Sequence, residues 1–427
     1  MQAYESMDKR FLKFLTEHHN YPHGEPIPLD LDARDILFKN DVDRKCLEVR
    51  RADNTIHTSY FVGIDWLCKE EAIFVKPKII FQNSGVTKET DFIKMLFQCL
   101  RFQHIENELQ DLFELKWDSP AVEIDQKDDL LTPLLIVEFL RLLKIIVRKG
   151  LKKSYYKVQA NLRGSIKGKV LVSRTIKENT WKNKHLSTVC SYDVFGLDGL
   201  ENRLLKLTMS YIKRYLPVFQ TFKSDANLAN LFNYVTPAFE GISENVDVNE
   251  IQHGKTNPFY KEYKDAIKIA KLILRRYGYN ISNVSSQTIK TPPFWIDMSK
   301  LFELYVFGLL KEEFKDKLIY HPTYNGKELD FLLLDPPMVI DAKYKPRYEY
   351  TSVLDDARQL SGYSRMTKVY EYLNYPKDKI LDCLIIYPNQ ISGSNDLSNF
   401  KEIITRPDSQ MKEYVNFFKI PVALPMV

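Results

Sequence analysis

The chain has 427 residues, 44% of them hydrophobic and 13% aromatic, and 61 Lys and Arg against 56 Asp and Glu leave a net charge of +5. A chain of this length predicts about two to four domains, and its apolar content excludes intrinsic disorder. Gly, at 15, is too scarce for Gly-rich linkers, collagen-like repeats or a β-propeller, and the mild charge balance does not by itself announce a nucleic-acid or membrane-surface binder.

Near the N-terminus, His18, His19 and His23 are joined by no matching Cys or carboxylate set. They predict a polar, flexible terminus rather than a metal cluster, with a short helix over residues 10–21 as the alternative. Residues 1–88 are expected to be β-rich. Stretches 60–66 and 72–78 are β-branched and aromatic runs, and 67–71 makes a charged turn between them. From about residue 89 the pattern turns helical. Phe92, Leu96 and Leu100 recur at i, i+4 and i+8, and Leu135, Phe139, Leu142, Leu143 and Ile146 line one face of an amphipathic helix. Lys149-Gly150 should stop it. Glu138, Arg141 and Lys144 interrupt that helix, so it cannot cross a bilayer, which takes ~20 predominantly apolar residues. The five cysteines, Cys46, Cys68, Cys99, Cys190 and Cys383, show no CxxC spacing. That excludes a zinc ribbon and fits reduced thiols. No signal-peptide pattern opens the chain, so the expectation is a soluble, cytoplasmic protein without a membrane contact.

Residues 144–184 hold thirteen Lys or Arg and one acid, Glu178, so this block carries +12 and the rest of the chain −7. Two strand-like pieces flank residues 161–168. Helices are expected over 200–216 and 261–277. A polar stretch, 281–287, followed by Thr291-Pro292-Pro293, marks a domain boundary. Beyond it come a helix at 299–314 and strands at 327–334 and 338–344, joined by a turn at Asp335-Pro336-Pro337. A helix at 352–373 and a buried strand at 380–387 follow. The expected fold class is α/β (α+β overall): a β-rich region 1–88, a helical and β middle domain 89–290, and an α/β sandwich with a mixed sheet at 291–427.

The C-terminal region carries the chemistry. Asp341, Ala342 and Lys343 fall in a predicted strand, so Asp341 and Lys343 project from one face. If the turn has an even number of residues centred on Asp335 and Pro336, Asp330 lies opposite Asp341, with Cβ atoms ~4.5–5.5 Å apart. Like charges so placed need a partner, and Mg²⁺, which favours hard oxygen ligands, supplies one. Such an ion activates water and polarises a phosphoryl oxygen. Lys343 beside it stabilises charge on the phosphate or orients the water. This is equipment for phosphodiester hydrolysis. The alternative is an ordinary surface hairpin whose Asp–Lys pair contributes little. The acids border the apolar runs 331–334 and 338–340, where a charge needs a partner or a function. Gln359 and Tyr363 share one face of the next helix. Glu303, on the helix before the hairpin, is a candidate third acid or else a solvated helix residue.

Together Glu303, Asp330, Asp341-Ala342-Lys343 and Gln359-x-x-x-Tyr363 resemble the PD-(D/E)XK nuclease pattern, and the Gln/Tyr element is similar to that of the RecB-type branch. Over residues 90–390 the chain more closely resembles McrC, the nuclease subunit of McrBC modification-dependent restriction systems. The matching segments include Asn161-Leu162-Arg163-Gly164-Ser165-Ile166, Cys190-Ser191-Tyr192-Asp193, Glu201-Asn202-Arg203-Leu204 and Asn257-Pro258-Phe259-Tyr260. Ile340-Asp341-Ala342-Lys343-Tyr344 and Leu384-Ile385-Ile386-Tyr387-Pro388 continue the match. Residues 1–88 look like the additional β-rich region of longer members. Asp341 stands where many such nucleases have Glu, and Leu329 rather than Pro precedes Asp330. Neither departure removes a metal-binding acid.

The resemblance implies a C-terminal restriction-endonuclease-like domain that cleaves modified double-stranded foreign DNA. It implies catalytic roles for Asp330, Asp341, Lys343, Glu303, Gln359 and Tyr363. Mg²⁺, or Mn²⁺ in its place, would sit on Asp330, Asp341, Glu303 and the backbone carbonyl of Ala342. It also implies a partner, a hexameric McrB-type AAA+ GTPase, whose ring receives the N-terminal half of such subunits and whose GTP hydrolysis they stimulate. Gly254-Lys255-Thr256 ends like a Walker A loop but lacks its upstream Gly and a clear preceding strand, so the motor is expected on another chain. Lys152, Lys153, Arg163, Lys167, Lys169, Arg174 and Arg203 are the expected contacts to that partner or to DNA phosphates, the latter steeply salt-dependent. Tyr155, Tyr156 and Trp181 interleave with these charges and are candidates for stacking. A solvated mixed surface is the plain alternative. Two other functions fit the same residues: a non-catalytic regulator docking on an AAA+ NTPase, and an autonomous RecB-like repair nuclease.

Overall fold

A computed structural model describes residues 12–21, 32–53, 55–77, 80–83, 86–99, 111–125, 129, 131–215, 226–247, 260–282, 288–345, 350–389 and 409–425. His23, Leu100, Gly254-Lys255-Thr256, Asn257-Pro258-Phe259 and residues 283–287 of the expected boundary lie outside them. The chain divides into two compact units, residues 1–131 with 287–427, and residues 132–286.

The N-terminal stretch is β-rich, with β1 (Leu12–Thr16), β2 (Phe61–Trp66), β3 (Ala72–Lys76) and β4 (Phe113–Leu115). Strand β1 and a short strand at His19–Tyr21 stand where the sequence predicts a flexible or helical terminus. Pairing is the reason. Each residue of β1 lies parallel to one of β3, from Leu12 beside Ala72 to Thr16 beside Lys76, and Leu15 is buried. Strand β2 is buried on both faces as a central strand, and the expected turn after it closes through the Leu67 N–H to the Glu71 carbonyl at 2.9 Å.

The second unit opens with α1 (Leu131–Lys149). All five residues of the expected apolar face are buried, but so are Leu134, Ile136, Val137 and Leu140. The helix is therefore enclosed nearly all round rather than amphipathic. That is tolerable because Glu138 and Arg141, also buried, pair with each other at 2.6 Å. Gly150, at φ +91°, ends the helix as expected. Next come β5 (Ser154–Arg163), β6 (Lys169–Val170), α2 (Val172–Glu178) and β7 (Ser187–Gly196). They form a sheet of order β5-β7-β6. Along β5 exposed and half-buried residues alternate, whereas Val189 and Cys190 on β7 are buried. The unit ends with α3 (Leu200–Tyr215) and α4 (Lys261–Ser282), both at their predicted places.

The chain then returns to the first unit. Strand β8 (Phe294–Asp297), directly after Thr291-Pro292-Pro293, inserts between β2 and β4, giving the order β1-β3-β2-β8-β4. A Cβ on Gly63 would overlap the Phe294 carbonyl, so only glycine allows β2 and β8 this approach. Asp297 caps α5 (Met298–Phe314), accepting the Lys300 N–H at 3.0 Å. Strands β9 (Leu318–Tyr320), β10 (Phe331–Leu334) and β11 (Pro337–Ala342) follow, then α6 (Tyr350–Ser364), α7 (Thr367–Leu373), β12 (Asp382–Asn389) and β13 (Phe417–Ala423). Their sheet runs in that strand order, antiparallel from β9 to β11 and parallel from β11 to β13. This is the expected mixed sheet. The single helix predicted over 352–373 is two, because Met366 is extended and the Ser364 hydroxyl bonds back to the Ser361 carbonyl. The first hairpin strand is shorter than expected, with Lys327–Glu328 pairing elsewhere and Asp330 lying in the break before β10. Among the described residues no helix is long and apolar enough to cross a membrane.

Candidate active site

The register of one hairpin builds the site. Leu334 pairs with Pro337 across a two-residue turn, and Phe331 pairs with Ile340. Continuing by one residue sets Asp330 opposite Asp341. Asp330 Oδ2 accepts the Ala342 N–H at 2.9 Å, and the Asp330 carbonyl accepts the His321 N–H at 3.1 Å, so the acid is fixed just outside β10. Asp341 lies on β11, second to none in burial among the site's acids at 5% exposed. Alternation along β11 places it on the same face as Val339. That face packs under α6, where Val339 and Leu332 share a core with Ala357 and Leu360.

Lys343 stands one residue beyond the end of β11, still tied to the sheet through its N–H to the Ile386 carbonyl at 2.9 Å. Its ammonium lies 3.0 Å from Asp341 Oδ2 and 3.4 Å from Gln359 Oε1, and Gln359 donates to the Tyr363 hydroxyl at 3.0 Å. The contact to Asp341 is an ion pair without hydrogen-bond geometry, for the buried Oδ2 accepts no hydrogen bond. The α6 face thus presents Gln359 and Tyr363 to the lysine, as the i, i+4 spacing predicts. It also presents Asp356, one turn earlier, which pairs with Lys345 at 2.6 Å. Asp356 and Lys345 are absent from the sequence-derived set. The signal for them is spacing: Lys345 follows Lys343 by two, and Asp356 precedes Gln359 by three.

Glu303 is brought near the pair but not into it. It comes from α5, whose Phe307 ring stacks on Phe331, on the face opposite Asp341. Its carboxylate accepts from the Tyr320 hydroxyl at 2.7 Å and meets His321 Nε2 at 2.6 Å and Lys300 Nζ at 3.2 Å. His321 in turn reaches Glu328 through Nδ1 at 2.9 Å. Among the described residues no group of three or more His, Cys, Asp or Glu is arranged to hold a metal ion. The three-acid cluster expected from the sequence is therefore two acids, with the third turned to a basic and phenolic cradle of its own.

The electrostatics follow from this packing. Burial, then the charges of Asp341 and Glu303, push the Asp330 carboxyl well above the ordinary range, against the Ala342 N–H and Lys343. Burial pushes Asp341 up as well, against the Lys343 ammonium. Burial pulls Lys343 down, but the Asp341 carboxylate outweighs it and the ammonium is held above its usual value. Burial pushes Glu303 up, yet His321, Lys300 and Tyr320 together hold it below the usual carboxyl range. A hard cation fits this set. Two carboxylates face each other, one with a buried oxygen that lacks a hydrogen bond, and Mg²⁺ is commonly held by one or two carboxylates with the rest of its shell as water.

The basic residues separate into two kinds. Lys152 pairs with Glu201 at 2.7 Å, Arg174 with Glu178 at 2.8 Å and Gln159 at 2.6 Å, and Arg203 grips both oxygens of Asp198 at 2.9 and 2.7 Å. Lys153, Arg163, Lys167 and Lys169 are exposed on or beside the β5–β7 hairpin. None of these four makes an ion pair among the described residues, and Lys167 lies over the Tyr192 ring at 4.4 Å. Ile166, Trp181 and Leu186 stand exposed among them at 69%, 79% and 70%, an apolar set that sequence charge alone does not reveal. Tyr155 is exposed against Phe195 at 5.1 Å, whereas Tyr156 lies under the Arg203 guanidinium.

Fold and site together define a mixed α/β protein whose β10–β11 hairpin, inside its sheet, sets two carboxylates and a lysine at one end of the paired strands, with a basic hairpin in the other unit. The family model described as "McrBC 5-methylcytosine restriction system component" matches residues 56–388. The chain therefore belongs to this family of McrBC restriction-system components. It is similar to a chain in the refined half-complex from a tetradecameric assembly of Thermococcus gammatolerans McrB AAA+ hexamers with bound McrC. That match has 17% identity and a TM-score of 0.39, and covers 97% of this chain and 94% of the other. It is also similar to a chain in the cryo-EM structure of the Thermococcus gammatolerans McrBC complex, at 17% identity and TM-score 0.28 over 83% and 100% of the two chains. No curated protein matches.

Proposed function

We propose that this chain is the Mg²⁺-dependent endonuclease subunit of a McrBC-type restriction system, hydrolysing modified double-stranded DNA while docked on a McrB-type AAA+ GTPase. The observation that supports this most is the Asp330–Asp341 pair with Lys343 set against it, in the hairpin register that the sequence pattern requires. Family membership supports the restriction system and the partner. The C-terminal sheet and its helices are then a PD-(D/E)XK nuclease domain.

In this mechanism Asp330 and Asp341 would hold Mg²⁺, with the Ala342 carbonyl as the remaining protein oxygen, and Mn²⁺ would suit the same donors. Bound there, the ion supplies Lewis acidity to a phosphoryl oxygen and makes water more acidic. Lys343 stays protonated between Asp341 and Gln359, placed to meet the negative charge that grows on the phosphate. Tyr363 fixes Gln359, and so limits the lysine's sideways freedom. Glu303, held by His321, Tyr320 and Lys300, adds negative potential at Asp330 and Asp341 rather than a direct ligand. Water oxygen bonds to phosphorus and gives up one proton to bulk water, the P–O bond to the leaving sugar oxygen breaks, and that oxygen takes a proton from bulk water, so no net proton is consumed.

The exposed cations of the β5–β7 hairpin, with Ile166, Trp181 and Leu186, suit a partner surface or DNA phosphates. Their lying in the unit that lacks the acid pair favours a second role, stimulation of the partner's GTPase independent of cutting. The test uses the purified chain with its partner, GTP, Mg²⁺ and a modified plasmid. Wild type should cleave and Asp341→Ala should not. Equal cleavage by the variant would sink the site, while full GTPase stimulation by Asp341→Ala makes docking and cutting separable.

A further inference from the structure

Asp330, Asp341, Lys343 and Gln359 all come from the C-terminal stretch, yet one N-terminal side chain reaches the edge of their site. Glu17 directly follows β1. Its N–H bonds to the Lys76 carbonyl at 3.0 Å and its side chain is fully buried. The Tyr344 hydroxyl donates to Glu17 Oε1 at 2.7 Å. Tyr344 is itself 4% exposed, its ring edge-on to Tyr60 at 6.1 Å and tilted against Phe302 at 5.8 Å. Tyr60 belongs to the same N-terminal block, stacking on His18 at 4.2 Å, and its carbonyl accepts the Met298 N–H at 2.9 Å at the start of α5.

Tyr344 is the residue after Lys343. Strand β11 has ended at Ala342, so beyond the Lys343 N–H the ladder no longer fixes the chain, and side-chain ties take over. Lys343 is tied to Asp341 and Gln359, and Lys345 to Asp356, all within the C-terminal stretch. The Tyr344 tie runs instead to the N-terminal sheet. A buried phenol is costly to place without a hydrogen-bond partner, and Glu17 Oε1 supplies it to Tyr344, so this contact resists displacement.

We propose that Glu17 is a positioning residue: by holding the Tyr344 hydroxyl it fixes where the chain leaves β11, and with it the place of the Lys343 ammonium beside Asp341. The proposal rests on the nuclease reading above and gives the N-terminal strands a part in cleavage without a group that touches DNA. Misplacement of a reacting group by about 1 Å can cost ~100-fold in rate, so a tether of this kind is felt in turnover before it is felt in binding.

The test is made in the full chain with partner, GTP, Mg²⁺ and modified plasmid. Tyr344→Phe keeps the ring and removes the hydroxyl; Glu17→Gln keeps an oxygen that can accept it. Tyr344→Phe and Glu17→Ala should lower kcat for cleavage about tenfold or more. Glu17→Gln should stay within about twofold of wild type. KM for DNA and stimulation of the partner's GTPase should not change in any of them. Cleavage by Tyr344→Phe at the wild-type rate overturns the proposal, as does a loss in Glu17→Gln equal to that in Glu17→Ala. Parallel loss of cleavage and GTPase stimulation in Tyr344→Phe also overturns it, since the damage is then global. Absence of cleavage by the wild-type chain brings down the nuclease reading itself, and is told apart because Asp341→Ala then matches wild type.

Discussion

Lysines occupy two opposite settings in this protein. Lys343 is half-buried, 3.0 Å from a carboxylate, and that carboxylate holds its charge in place against the pull of burial. Lys167 and Lys169 stand exposed on or beside the β5–β7 hairpin. In the first setting low local dielectric and weak screening make each interaction strong. In the second, salt screens each charge within ~8–10 Å, so the cations act together or hardly at all. The acid–lysine site is suited to one bond of one substrate. The hairpin is suited to a broad, salt-sensitive contact.

That contrast is open to direct attack. The largest expected effect is at the acid–lysine site: Asp341→Ala should lower cleavage by about 10²–10³-fold or more, measured as plasmid linearised per minute. Lys343→Ala should lower the rate by about 10²-fold while the chain still binds Mn²⁺, read by calorimetry, because the lysine is no ligand. Loss of metal binding with Lys343 would contradict its role. The third expectation concerns the hairpin. Arg163→Ala, Lys167→Ala and Lys169→Ala combined should weaken binding to partner or DNA more at low salt than at high salt, with turnover of the bound complex unchanged. Each phosphate that the triple variant no longer neutralises should flatten the log–log salt slope by up to ~0.9. A variant with wild-type binding at every salt concentration would return the hairpin to an ordinary solvated surface.

The smallest effect is on stability. Burial and mutual charge hold Asp330 and Asp341 above the ordinary carboxyl value. The folded chain therefore binds more protons than the unfolded one between the ordinary and the raised values. Metal-free stability is full below the ordinary value and falls as pH rises through the raised ones. Thermal unfolding without metal should show that fall, and Asp330→Asn should flatten it.

Much of the hairpin was legible in the sequence. The turn at Asp335-Pro336 and the apolar runs beside it set the pairing, and pairing sets Asp330 against Asp341. Gln359 and Tyr363 were legible too, because a helix brings i and i+4 together whatever it packs on. The environment of Glu303 was not. Its spacing from the hairpin is compatible with a third ligand, but Tyr320 and His321 claim its carboxylate. The N-terminal strand β1 was missed because its partner β3 lies about sixty residues away in sequence, beyond the reach of any local pattern. The closed surround of α1 was missed for a related reason: Glu138 and Arg141 look like a solvent face until they are seen to neutralise each other.

The sequence by itself determined what depends on neighbours in the chain: which residues of a helix or strand share one side, and which acids a tight turn sets opposite each other. Tertiary structure alone decided what covers each side. Alternation puts Asp341 with Val339, but only packing puts α6, with Gln359, over that face and α5, with Glu303, over the other. It also decided that a glutamate from the end of the first strand should meet the tyrosine beside the lysine. Local pattern fixes the direction of a side chain relative to its own element, whereas burial and charge depend on elements that arrive from elsewhere.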